Sequence, residues 1–222
     1  ILTPSGYLVA YNTEGNFLWE IDVVPSNLKK RKTNIFGGIA IHKDDIILSS
    51  SLGEILSIDK KNKKINWRFD FKRPFRAPPL VYGNKIYAIT GDDIALSLTL
   101  SGKLRWTRKG PQKATKLMSA ATPAASGNKV LFPFSGGSLL ALNAYNGLEL
   151  WNNNFQKSRL GSALATIGDF GGDPVIVNSR VYAVSAFGEI FATSLNGNVA
   201  WRNNISGSSR LIVSGNSIFF VS

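Results

Sequence analysis

Few residues in this sequence have the type and spacing that chemistry requires. His42 is its single histidine, and one imidazole cannot build a histidine-based metal cluster. Set beside the Asp44-Asp45 turn, it reads as an exposed strand end. Asp44-Asp45 and Asp92-Asp93 carry enough charge to attract a cation, but tight turns are rich in Asp for conformational reasons. Asp169-Phe170-Gly171 spells the metal-holding tripeptide of a phosphotransferase site. No Gly-rich loop or His-Arg-Asp segment accompanies it, so it reads as a loop before a strand. Asn204-Ile205-Ser206 fits a glycosylation acceptor, a triplet frequent by chance. No Gly-x-Ser-x-Gly elbow occurs, and the absence of Cys removes disulfides, thiol catalysis, iron–sulfur clusters and thiolate zinc sites.

Charge is the other chemical resource. The chain has 26 Lys+Arg against 14 Asp+Glu, a net +12, and residues 1–116 hold 20 of the former and 10 of the latter. Lys29-Lys30-Arg31-Lys32, Lys60-Lys61-Asn62-Lys63-Lys64 and the segment Arg68 to Arg76 are the basic runs. Phosphate neutralisation with aromatic stacking would suit nucleic acid. However, Phe69 and Phe71 continue the alternation from Trp67 and read as strand packing, so no nucleic-acid partner is assigned. Anionic lipid headgroups, or an acidic protein face, suit the basic N-terminal half better. No apolar run reaches the 18 or so residues of a helical span, so the expected chain is soluble or peripherally attached. Any targeting segment is expected to lie outside this sequence, because Ile1 is no initiator.

The elements that must carry these residues are set by a repeat. Tryptophans fall at 19, 67, 106, 151 and 201, a period of about 45 residues. Gly15, Gly102, Gly147 and Gly197 each stand four residues before a Trp, where Gly supplies the positive φ of a tight hairpin and the Trp ends on a buried strand face. In the second repeat Lys63 takes the Gly position, and Asn62 before it tolerates left-handed φ. Further turn signals recur at Gly6, Gly53, Asp93, Gly137 and Gly188, and again at Asp44-Asp45, Gly83-Asn84, Gly127-Asn128, Asn178-Ser179 and Gly215-Asn216. Three turns per period give four short alternating strands. Pro79, Pro123 and Pro174 open first strands, where a missing N–H does least harm. With 44% apolar residues and no sustained helical periodicity, the expected fold is all-β: a β-propeller of four-stranded antiparallel blades. As a single propeller domain over 1–222, it divides into a half blade 1–22, blades at about 36–69, 75–108, 119–153 and 168–203, and a half blade 209–222. Five blades' worth of strands is present. Either the halves pair to close a ring or the chain is part of a larger propeller.

Ala141-Leu142-Asn143-Ala144-Tyr145-Asn146-Gly147-Leu148-Glu149-Leu150-Trp151 resembles the repeat of pyrroloquinoline-quinone-type propellers. Ala121 to Ala124, Phe134 to Leu139, and Ile167 to Ile176 resemble the BamB family, the lipoprotein scaffold of the outer-membrane β-barrel assembly machine. Phe36 to Ala40 and Pro74 to Pro79 are similar to the same family. The resemblance implies an eight-bladed propeller, with about three blades outside this sequence. It also implies a location on the periplasmic face of the outer membrane, a lipid anchor not in this sequence, and membership as a monomer in a multiprotein complex. Its implied partners are the periplasmic POTRA domains of the barrel-forming subunit BamA. The family's docking loops carry a Leu-Arg pair before one blade-opening Pro and an Asp-x-Asp before the next. Here Leu117 matches the Leu and Met118 replaces the Arg. Asp169 matches the first Asp and Gly171 replaces the second, with Asp173 able to supply a displaced carboxylate. A quinoprotein-like propeller enzyme or ligand-binding propeller module is the alternative. The quinone site of such enzymes uses adjacent cysteines and a calcium held by acidic and amide groups, so neither catalytic residues, cofactor nor metal is expected here. The innermost strands read Ile39-Ala40-Ile41, Pro79-Leu80-Val81, Pro123-Ala124-Ala125 and Pro174-Val175-Ile176, which are apolar or small.

Overall fold

The structure is a computed structural model that describes residues 1–28, 35–111, 121–155, 169–186 and 188–221. It is a β-propeller array whose sheets follow one another along the chain. A two-stranded sheet, β1 (Tyr7–Tyr11) and β2 (Phe17–Asp22), comes first. Four antiparallel four-stranded sheets follow. The second sheet is β3 (Gly37–His42), β4 (Asp45–Ser50), β5 (Glu54–Asp59) and β6 (Lys64–Asp70). The third is β7 (Leu80–Tyr82), β8 (Lys85–Ile89), β9 (Ile94–Thr99) and β10 (Leu104–Lys109). The fourth is β11 (Ala124–Ser126), β12 (Lys129–Phe134), β13 (Ser138–Asn143) and β14 (Glu149–Asn154). The fifth is β15 (Val175–Val177), β16 (Arg180–Val184), β17 (Ile190–Ser194) and β18 (Val199–Asn203). The pair β19 (Ile212–Ser214) and β20 (Ser217–Phe219) ends the array. Among the described residues the only helical pieces are 3-10 turns at Ser26–Leu28 and Ser135–Gly137.

The first and last pairs remain separate sheets. Ile1 exchanges backbone hydrogen bonds with Val9, and Leu2 bridges Leu8. The chain's own first residues thus lie along the edge of β1 that a closing strand from β20 would need.

The core lies between sheets. Ile46 and Leu48 pack toward the first sheet with Leu8 and Val23, whereas Ile47 and Ile55 pack toward the third with Ile86, Ala88 and Leu96. Side chains alternate across a strand, so a strand sandwiched between two neighbours needs apolar residues at every position. The middle strands β4, β5, β9 and β13 are accordingly buried almost throughout. The short alternating strands read from the sequence are, in these middle positions, covered on both faces. Burial of such a Leu or Ile typically contributes about 2–5 kcal/mol against truncation to Ala.

Each tryptophan lies on an outermost strand and is half-buried rather than fully covered. The indoles of Trp67, Trp106 and Trp151 meet the hairpin of the next sheet. A Cβ built on Gly102 would approach Trp67 to 2.7 Å, one on Gly147 would approach Trp106 to 2.7 Å, and one on Gly197 would approach Trp151 to 2.7 Å. The glycines therefore serve twice: they take positive φ (80°, 71° and 85°) and they clear space for a neighbour's ring. Trp67 Nε1 donates to Leu100 O at 3.0 Å and Trp151 Nε1 to Leu195 O at 2.9 Å. In all five hairpins the register shifts at the residue just before the Trp. Such a bulge increases local twist and re-aims a side chain, here turning the indole toward the next sheet.

At the Gly-less hairpin, Lys63 itself adopts φ 56°, in place of the left-handed Asn62 expected. The Asp59 carboxylate accepts the N–H groups of Lys61 and Asn62 and the Asn62 side-chain amide. These local bonds offset a left-handed cost of about 1–2 kcal/mol. His42 is half-buried, not the exposed strand end its sequence context suggests.

Antiparallel alternation sorts the connections onto two rims. Turns between first and second strands and between third and fourth strands share one end, the hairpin rim. Turns between second and third strands, together with the connections between sheets, share the other.

Candidate functional site

On this second rim the connections entering the fourth and fifth sheets lie side by side. Pro123 immediately precedes β11 and Pro174 immediately precedes β15. Pro suits this place because the strand's first N–H has no ladder partner to lose. Asp173 Oδ1 accepts the Thr122 N–H at 2.6 Å, tying one connection to the other.

Asp169 lies deeper, only 5% exposed. Its Oδ1 accepts the Gly136 N–H at 2.6 Å, and its carbonyl accepts the Ala186 N–H at 2.9 Å. From the opposite side, Asp93 Oδ1 accepts the Ser135 N–H at 3.1 Å and the Ser135 hydroxyl at 2.9 Å. Two carboxylates from neighbouring sheets thus converge on the Ser135-Gly136-Gly137 turn, whose donors form an anion-seeking concavity. Asp93 reaches this position because it occupies a turn site, with φ 62°, where Gly stands in other repeats. The lining of Arg76, Thr90, Asp93, Ser135 and Asp169 encloses about 20 Å³, room for a water rather than a substrate.

Gly171 also has a definite reason. A Cβ there would lie 1.7 Å from the Gly207 carbonyl oxygen, so an Asp in its place would force the backbones apart. Gly171 N–H donates to Val184 O at 2.9 Å, and the adjacent Phe170 packs edge-on against Phe191 at 6.3 Å. Leu117 and Met118 lie outside the described residues. Of the sequence-derived site residues, then, Asp169, Gly171 and Asp173 share the rim, with Asp169 and Gly171 in its supporting layer and Asp173 half-buried nearer its surface. Sequence reading missed Gly136 and Thr122, which act through backbone groups that no side-chain motif reveals, and Ser135, which adds its hydroxyl to its N–H. Asp93 was visible as the one acid in a column of glycines.

Nearby, burial pushes the Asp92 carboxyl up, but the Thr90 hydroxyl and the Arg73 guanidinium outweigh it and hold it below the usual carboxylate range. The channel along the innermost strands measures about 450 Å³ and is lined by Ile39, the three opening prolines, Asp173 and Arg210. Its wall is otherwise small or apolar. Among the described residues no three His, Asp or Glu side chains gather as a metal set, and no helix is long and apolar enough to cross a membrane.

Compared with known families, residues 4–222 match the one described as outer membrane protein assembly factor BamB. The chain belongs to the BamB family. It is 23% identical to the outer membrane protein assembly factor BamB of Moranella endobia, over 87% of this chain and 50% of that protein. The crystal structure of BamB from Moraxella catarrhalis superposes with a TM-score of 0.83 at 19% identity, covering 97% of this chain and 64% of that one. A quinohemoprotein alcohol dehydrogenase from Comamonas testosteroni superposes with a TM-score of 0.64 at 13% identity, over 80% of this chain and 37% of that one. These structural likenesses concern the fold. The chain spans about half the length, or less, of the curated BamB proteins it matches.

Proposed function

We propose that this chain is a non-catalytic scaffold for assembly and insertion of outer-membrane β-barrel proteins, acting at the periplasmic face of the outer membrane within a multiprotein complex. The family match across residues 4–222 carries this reading, since its relatives are named as assembly factors. The finer proposal is that the connections entering the fourth and fifth sheets bind POTRA domains of BamA. The Asp173 bond to Thr122 supports it by holding the two connections at a fixed spacing. In this reading Leu117 and Met118 supply an apolar contact and Asp173 an acidic one, a combination able to bury a small anchor while orienting a basic partner residue. The channel wall sets a single acid, Asp173, and a single base, Arg210, among small or apolar residues, a set that favours a scaffold over an oxidoreductase.

The test pairs Met118→Glu with Asp173→Arg and leaves the buried Asp169 intact. Binding to POTRA domains is measured by calorimetry after melting has been compared. The expected result is a loss of affinity of at least about tenfold, with stability lowered by no more than the lost Asp173–Thr122 bond, about 1 kcal/mol. Parent-like binding by the folded double variant would remove the docking assignment.

A further inference from the structure

The hairpin rim, opposite the proposed docking loops, has a composition that its turns do not require. Among the described residues it carries Lys43, Lys60, Lys61, Lys63 and Lys64 in the second sheet, Lys85 and Lys103 in the third, and Lys129 and Arg180 beyond. Among the described residues five carboxylates share the rim, Glu14, Asp44, Asp45, Asp59 and Glu149, and Glu149 pairs with Arg108 at 3.4 Å. Asp44 pairs with Lys61 at 2.8 Å, and Asp59 is bound into its own turn. Among the described residues of the other rim, Lys72, Arg73, Arg76, Lys109 and Arg210 stand against Asp22, Glu54, Asp70, Asp92, Asp93, Asp169, Asp173 and Glu189; the basic run Lys29 to Lys32 falls in a connection outside the described residues.

Apolar side chains are exposed on the hairpin rim as well. Tyr11 is 50% exposed, Phe17 57%, Ile41 60%, Tyr145 63% and Leu148 60%, and every one sits at or beside a hairpin of this rim. Among the described residues the opposite rim exposes Tyr7 at 37%, Phe36 at 46% and Ile205 at 42%, and, in its terminal pair, Ile212 at 64%, Phe219 at 57% and Val221 at 65%. Tyr11 and Phe17 meet edge to face at 6.2 Å. Behind them an apolar cleft of about 360 Å³ runs between Tyr11, Trp19 and Ile41, with Lys60 at its side. The rim is continuous from sheet to sheet: Gly127 N–H donates to the Tyr82 hydroxyl at 2.8 Å, Lys85 lies 4.7 Å above the Tyr145 ring, and Lys129 reaches Asn196.

We propose that the hairpin rim is a bilayer-contact surface for anionic phospholipid headgroups. Flexible lysine stems keep their ammonium groups at phosphate level while covering apolar surface. Aromatic and branched side chains between them suit the boundary between headgroups and acyl chains. A broad rim spread over successive sheets matches a planar partner better than a socketed peptide. This orientation would point the proposed docking loops away from the membrane, toward periplasmic partners. The inference rests on the outer-membrane reading only for which membrane is met.

Vesicle sedimentation tests it, with phosphatidylcholine alone or mixed with phosphatidylglycerol. One variant combines Lys63→Glu, Lys64→Glu and Lys103→Glu on the hairpin rim. The other makes the same change in net charge on the opposite rim, through Lys72→Glu, Lys109→Glu and Arg210→Glu. The parent should bind only the anionic vesicles, and less at higher salt. The hairpin-rim variant should lose binding by roughly a hundredfold or more, at about tenfold or somewhat less per lysine removed from a charged surface. The opposite-rim variant should bind within a few-fold of the parent. Equal losses in both variants would reduce the effect to net charge and overturn the proposal, as would retained binding in the first. Displacement by single-stranded DNA at matched phosphate concentration would overturn the lipid assignment. POTRA binding measured on the hairpin-rim variant separates the two proposals, since its loss or persistence bears on the docking loops and not on the vesicles.

Discussion

Gly102 lies directly under the indole of Trp67, so close that a Cβ on it would stand 2.7 Å from the ring. The two residues belong to successive sheets, which makes a hairpin glycine part of a contact between repeats. Gly83 offers a control. It has positive φ of 58° but open space around its missing Cβ. Gly83→Ala should cost about 1 kcal/mol, the left-handed backbone penalty alone. Gly102→Ala should cost about 1–3 kcal/mol more, from overpacking against the ring. Urea unfolding of both variants measures the difference, and equal losses would show that the Trp67 contact is slack.

Much of this was legible in the sequence, because the Trp spacing and turn residues report strand order directly. Pro79, Pro123 and Pro174 marked first strands, and Gly6, Gly53 and Gly137 marked the second turns. What stayed hidden depends on neighbours. The bulge before each Trp has no residue signature, since Leu18, Asn66, Arg105, Leu150 and Ala200 occupy it. Asp169 looks like a loop acid by sequence, and only the adjacent sheet reveals that its carboxylate is spent on Gly136. Lys63 shows the same limit at short range, for its left-handed φ is underwritten by Asp59 four residues earlier.

Asp169 should therefore behave as a brace. Asp169→Ala leaves the buried Gly136 N–H without its acceptor, at a cost of about 1–3 kcal/mol. Asp169→Asn keeps an acceptor oxygen and should recover part of that loss. Thermal unfolding of the pair checks this, and an Ala variant as stable as the parent would place the bond among the dispensable ones.

Arg68 joins sheets by another route, donating to Glu54 Oε2 at 2.9 Å and to Val23 O at 3.0 Å. Burial raises the Glu54 carboxyl above its ordinary 4.5, with Arg68 opposing the rise. The folded state then holds this proton more tightly than the unfolded chain. The associated stability is present below the unfolded value and is lost as pH rises through the folded one. Arg68→Ala removes the opposing charge, so its destabilisation, about 3 kcal/mol near pH 7, should shrink as pH falls to about 4 and Glu54 is neutralised. Urea unfolding at the two pH values checks it. A loss independent of pH would assign the effect to the Val23 bond alone.

The tryptophans themselves should not be equivalent, and the reason lies in one stolen carbonyl. Trp67 and Trp151 donate their Nε1–H to the carbonyl two residues before the neighbouring hairpin glycine, at Leu100 and Leu195. The corresponding carbonyl for Trp106 is Tyr145 O, and Arg105 occupies it at 2.9 Å while also reaching Ala144 O at 3.2 Å. Trp106 Nε1 is buried with no partner among the described residues. The bulge that re-aims each ring thus also exposes its preceding residue to the same acceptor, and a long cation there outcompetes the indole. Trp→Phe removes the N–H but keeps an aromatic ring. The change should cost about 1 kcal/mol more at Trp151 than at Trp106, the net value of one hydrogen bond beyond lost packing common to both. Arg105→Ala should release Tyr145 O to the indole, so that a following Trp106→Phe becomes more costly than in the parent by a similar amount. A double-mutant cycle by urea unfolding reads that coupling directly, and a coupling of zero would mean that the two donors never compete for the carbonyl.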